Sequence, residues 1–205
     1  MNERPTTGNA YRAMLMIAGL ALCTGCLGRS PGVRNFILGT SNSSSTIALA
    51  PDMAVLVGPV RLPAYLDRPQ MATLESDGEV VLDEFDRWLG GFEENFLRAL
   101  SLGLGRELGS VRVVAHPSKA PFPIDYQIRL HVDDLIYEAG GGLRVHVRWA
   151  LVSVREEASP GLFVMDELIP VNGNSVEDVV RAHEEAVMAL VRRMTSELVA
   201  RETEG

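Results

Sequence analysis

The chain has 205 residues, a formal net charge of −8 at neutral pH and a pI near 5.0, with 46% hydrophobic and 22% charged residues. That composition is globular, which excludes a mostly disordered chain, and the length suits one domain with an appendage. Lys119 is the single lysine and the arginines are scattered, which argues against a nucleic-acid partner, whose phosphates are held by clustered Lys and Arg.

The chain begins as an export address. Arg4 and Arg12 make a positive n-region, and residues 13–22 (AMLMIAGLAL) make an uncharged apolar stretch too short for a comfortable transmembrane helix. Cys23-Thr24-Gly25-Cys26 follows at once. Small residues before a cysteine at this place are similar to a lipoprotein signal-peptidase site, so Cys26 is the expected lipid attachment point. A plain cleaved signal peptide or an uncleaved anchor is the blander alternative. Cys23 and Cys26 are the only cysteines. Cleavage before Cys26 leaves 180 residues, one cysteine and no possible disulfide. Removing Arg4, Arg12 and Glu3 leaves 17 basic and 26 acidic residues, a net of −9. The expected organisation is a signal peptide over 1–25, a lipidated tether over 26–34 and a single domain over 35–205.

Within that domain, residues 36–38 are predicted as a first strand and 39–46 as a polar Gly/Ser-rich loop. Residues 53–62 read as a β-segment whose middle Pro59 demands an edge or a bulge. Residues 70–74 and 79–82 read as short strands around the Ser76-Asp77-Gly78 turn. The spacing of Phe85, Trp88, Leu89, Phe92, Phe96, Leu100 and Leu104 predicts a helix over 83–108, broken or kinked in its first turn by Gly90-Gly91 and stopped at Gly109. Val111 to Ala115 is a further strand.

Residues 124–137 and 143–154 alternate apolar and polar side chains, which predicts a half-exposed antiparallel hairpin closed by the glycines at 140–142. The alternation slips at Asp133-Asp134, the signature of a bulge. Residues 162–171 are a strand. The last helix is predicted over 175–201, with Asn174 or Ser175 as cap and Glu177 or Asp178 completing a capping box. The expected fold is α+β: a mixed, mainly antiparallel sheet with two amphipathic helices packed on one face.

No catalytic constellation is legible. His116, His131, His146 and His183 share no metal-ligand spacing. His131 and His146 fall on different rungs of the hairpin and read as a solvated strand face. There is no nucleophile elbow and no phosphate-binding glycine loop before a lysine. No cofactor, metal or enzymatic activity is expected.

The segment from Gly58 to Gln70 stands out. Its three prolines hold Tyr65, Leu66, Asp67 and Arg68 on a stiff loop. Two readings stay open: a rigid crossover with Asp67 and Arg68 paired locally, or a docking surface.

The run Gly58-Pro59-Val60, then Leu62-Pro63-x-Tyr65-Leu66-Asp67-Arg68-Pro69-Gln70, resembles the signature of the PqiC/YmbA family of ABC-type transport auxiliary lipoproteins. Glu84-Phe85-Asp86-Arg87-Trp88, leading into a helix with Phe92 and Asn95-Phe96, is similar to that family's next block. The resemblance spans the whole mature chain. It implies a non-enzymatic periplasmic subunit, anchored through Cys26 to the inner leaflet of the outer membrane. The implied partners are an MCE-domain protein and its inner-membrane permease/ATPase, in a system moving lipid between membranes. Leu27, rather than Asp, after Cys26 is similar to the outer-membrane sorting pattern. The implied partner-binding residues are Tyr65, Leu66, Asp67, Arg68 and Trp88, with an exposed sheet edge. Phospholipid contact and a homo-oligomer are compatible with it. A lipid-binding carrier and a structural envelope-assembly lipoprotein are the competing readings.

Overall fold

Alternating side chains build the longest ladder. In β6 (Tyr126–Glu138) and β7 (Gly142–Ser153), Ile128, Leu130, Val132, Val145, Val147 and Trp149 are buried while Arg129, Arg144 and Arg148 face water. The computed structural model describes residues 32–39, 49–155 and 159–204. The signal segment, Cys26 and all but the first residue of the polar loop expected over 39–46 lie outside the described residues. From Val33 onward the chain forms one compact unit.

The remaining strands are β1 (Arg34–Phe36), β2 (Val55–Arg61), β3 (Gln70–Leu74), β4 (Val80–Trp88), β5 (Val113–Ala115) and β8 (Gly161–Pro170). They join in one eight-stranded sheet with the path β1-β4-β3-β6-β2-β5, while β7 lies between β6 and β8. β6 is the spine. One edge takes β7, and the other takes β2 along its first half and β3 at Tyr137 and Glu138.

The sheet is mixed, which corrects the expectation of a mainly antiparallel one. The pairs β1–β4, β2–β5, β2–β6 and β3–β6 are parallel; β3–β4, β6–β7 and β7–β8 are antiparallel. Periodicity reports which residues share a face, not the direction of a distant neighbour. Only the hairpins were therefore legible as antiparallel.

Helix α1 runs Phe92–Leu108 and α2 runs Val176–Glu204. Residues 83–88, expected to be helical, are strand. The three- and four-residue spacing of Phe85, Trp88 and Phe92 straddles a strand and a helix, and pairing of 86–88 with β1 decides the matter. Phe85 and Leu89 are exposed, whereas Trp88 is buried. Gly90 and Gly91, at φ 77° and 98°, turn the chain between the two elements. Gly109 ends α1 in the left-handed conformation, and Ser175 caps α2 in a box with Asp178, as the sequence predicts.

The helices pack on each other and on the sheet, α1 against β2 and β5, α2 against β7 and β8. Phe92, Phe96, Leu100 and Leu104 meet Val187, Leu190, Val191 and Met194 in the core. The helices approach closely at Gly103, where an added Cβ would lie 2.7 Å from Val191 Cγ2. Gly103→Val is expected to lower the unfolding free energy by about 2 kcal/mol through overpacking, read as a lower midpoint in urea.

A cleft beside the proline-rich loop

The loop over 62–69 spans a gap in the ladder. β2 leaves β6 at Arg61, opposite His131, and β3 joins it again opposite Tyr137. Between them the register of β6 on β7 shifts at Asp133, so the expected bulge is present. Tyr65 fills the gap. Its hydroxyl donates to Asp134 Oδ1 (3.2 Å) and accepts the Leu135 N–H (3.3 Å). Burial pushes its pKa up to about 12. Tyr65→Phe leaves a ladder N–H unpaired and is expected to cost about 1–2 kcal/mol, checked by thermal unfolding.

The structure divides the predicted partner-binding residues into two groups. Leu66 is buried in the core, and its N–H bonds Pro63 O at 2.9 Å. Trp88 is 3% exposed, with its N–H held by Pro69 O. Its ring meets Phe92 edge-on at 5.4 Å and His183 at 5.2 Å. Tyr65 is half-buried. Asp67 and Arg68 are exposed, and neither side chain bonds a group among the described residues, including one another. Tyr65, Leu66 and Trp88 thus hold the loop from below, and Asp67 and Arg68 are what it displays.

These two residues form one lip of an open cleft of about 770 Å³. Its other walls are the Gly90–Glu94 turn, the face of α1 bearing Leu97, Arg98 and Leu102, and the Ala115–Ser118 turn after β5. Leu66, Phe92 and Leu97 make an apolar floor, while Glu93, Glu94 and His116 make a polar rim. Sequence reasoning missed the last two walls, because three segments far apart in the chain meet only in the fold. Arg98 is anchored in the cleft wall by donating from Nη2 to Leu38 O.

On the polar face of the β6–β7 hairpin, Asp133 draws one arginine and two histidines to its oxygens. Arg148 Nε and Nη2 lie 2.6 and 2.7 Å from its oxygens, His131 Nε2 at 3.3 Å and His146 Nε2 at 3.7 Å. The Arg148 guanidinium holds its carboxyl below the usual carboxylate range, with the two histidines adding to the effect. His131 and His146 do fall on different rungs, opposite Arg148 and Asp134. The bulge is what brings both to one carboxylate. Among the described residues no group of three His, Cys, Asp or Glu side chains is placed to hold a metal ion, and no helix is long and apolar enough to cross a membrane.

The fold and its cleft define an α+β domain that displays a loop braced from within. The model of the ABC-type transport auxiliary lipoprotein component matches residues 37–195, and the chain belongs to that family. The family is one of transport components rather than of enzymes. No curated protein matches. Several solved chains match in fold, among them two that align over most of this chain. One, a crystal structure of an uncharacterized protein, aligns with TM-score 0.63 at 14% identity, covering 82% of this chain and 99% of that one. The other, protein XCC0632 from Xanthomonas campestris, aligns with TM-score 0.58 at 13% identity, covering 85% and 95%.

Proposed function

We propose that this protein is the outer-membrane-anchored docking subunit of an intermembrane lipid transporter, held by lipid on Cys26 and receiving an MCE-domain protein in the cleft. Membership of a transport auxiliary lipoprotein family carries the reading. The unpaired Asp67 and Arg68 on a braced lip supply the polar contacts, and the apolar floor supplies the buried area. A single acyl chain binds membranes only marginally, but the several chains of a mature lipoprotein anchor firmly. Anchoring raises the effective concentration of the cleft for a partner spanning the periplasm.

The test is affinity capture of the full-length protein from membranes, with mass spectrometry of proteins and lipids together. An MCE-domain protein and its permease/ATPase are expected in the wild-type sample. The Asp67→Ala, Arg68→Ala double variant is expected to lose that capture. Because both side chains are exposed and unpaired, its unfolding free energy should stay within about 0.5 kcal/mol of wild type. Unchanged capture would remove the loop from the interface, and absence of an MCE protein in every sample would sink the docking role.

A carrier role is the second reading. An apolar trough of about 470 Å³ on the outer face of β6–β8 favours it, with Leu162 79% and Val164 52% exposed beside Arg129 and Arg148. It predicts lipid co-purifying beyond the Cys26 modification.

A further inference from the structure

Behind the braced loop lies a second, smaller cavity of about 180 Å³, between β3, β4 and the first turns of α2. Leu66 walls both this cavity and the cleft; Trp88 and Leu135 complete its apolar side. Its polar lining includes two acceptor atoms, on His183 and Asp83, that bond no group among the described residues. His183 is 5% exposed and directs Nδ1 at Val179 O, 2.8 Å away. The bond makes Nδ1 the protonated nitrogen and leaves Nε2 with a lone pair. No group among the described residues bonds it. Asp83 uses Oδ1 for the Phe85 and Asp86 N–H groups (2.7 and 3.0 Å), and its Oδ2 has no donor. Thr73 adds a hydroxyl without a partner among the described residues.

The charge of the cavity lining is negative. Asp83 and Asp86 both line it with no cation among the lining residues, and Arg34, bound to Asp86, is shared with Glu177. The α2 N-terminus does not offset this for an anion, because Ser175 and Asp178 close it with their own capping box. His183 Nε2 and Asp83 Oδ2 both face the cavity, and a donor bearing positive charge makes the stronger hydrogen bond to such acceptors.

We propose that this cavity is a binding site for a small primary ammonium group on a short apolar stem, donating to His183 Nε2 and Asp83 with its stem against Trp88. The site stands independently of the docking reading. Such a group comes from a free amine or from an amine-bearing lipid headgroup. The full-length, detergent-extracted protein is labelled with ¹⁵N-histidine, and the ring resonances of His183 are followed near neutral pH. Ethanolamine and glycerophosphoethanolamine are titrated, with tetramethylammonium and propionate as controls.

A saturable displacement by ethanolamine is expected, about tenfold weaker in Asp83→Asn, which keeps the turn-forming oxygen but loses the charge. Binding of ethanolamine alone identifies a free amine, and binding of both identifies a headgroup; either supports the site. Should Asp83→Asn fail to fold, Thr73→Val is expected to weaken binding as well. No saturable displacement, an equal one from tetramethylammonium or propionate, or unaltered affinity in every folded variant overturns the assignment.

Discussion

Trp88→Ala is expected to lower the unfolding free energy by about 4 kcal/mol, the cost of emptying a large aromatic site in a packed core. The ring is 3% exposed and lies edge-on to both Phe92 and His183. It therefore ties β4 to the first turn of α1 and to the N-terminal part of α2. The backbone N–H of residue 88, which bonds Pro69 O, is kept by alanine, so the loss comes from the ring alone. A domain of ordinary stability would keep only a few kcal/mol. The measurement is equilibrium urea unfolding beside Arg68→Ala, for which no change is expected because that side chain is exposed and unpaired. Equal midpoints for Trp88→Ala and wild type would mean that the ring is not part of the core.

Acidification is expected to destabilise the protein through His183. Burial lowers its pKa from the ordinary 6.5 to about 4, with the bond to Val179 O opposing the shift in part. The folded ring is thus neutral between pH 6.5 and pH 4, where the ring of the unfolded chain is protonated. In that window the unfolded state binds more protons, so stability falls as pH falls. The contribution is present in full above pH 6.5 and is lost by about 3 kcal/mol on reaching pH 4. The groups around the ring are Trp88 and Phe92, with Asp83 and Asp86 lining the same cavity and Arg34 bound to Asp86. Carboxylates titrate in the same range, so the reading is a difference. His183→Phe keeps an aromatic ring and removes the proton site. Its stability should fall less steeply than wild type from pH 6.5 to pH 4, and identical slopes would exclude His183 as the source.

Much of this architecture can be read without coordinates. The β6–β7 hairpin, the bulge at Asp133, both helix caps and the strand over 70–74 follow from local rules: period two, a phase slip, an N-cap box and a left-handed glycine. The proline-rich loop was also legible, because Pro59, Pro63 and Pro69 restrict the backbone wherever they sit. Residues 83–88 were not. Their apolar spacing fits a helix, and pairing with β1, 52 residues upstream, and with Gln70 of β3 makes them a strand.

The role of each candidate residue divides along the same line. Composition and the run from Gly58 to Gln70 single out Tyr65 to Arg68 as a group, but sequence treats its members alike. The fold separates them, burying Leu66, setting Tyr65 against an unpaired rung of β6 and leaving Asp67 and Arg68 in solvent. The sequence by itself determined which segments are strands and helices where a single period runs unbroken, and which loop is stiff. Strand direction, the walls of the cleft and the closure around His183 were decided by tertiary structure alone. Each depends on segments far apart in the chain meeting, and no local pattern records the distance between them.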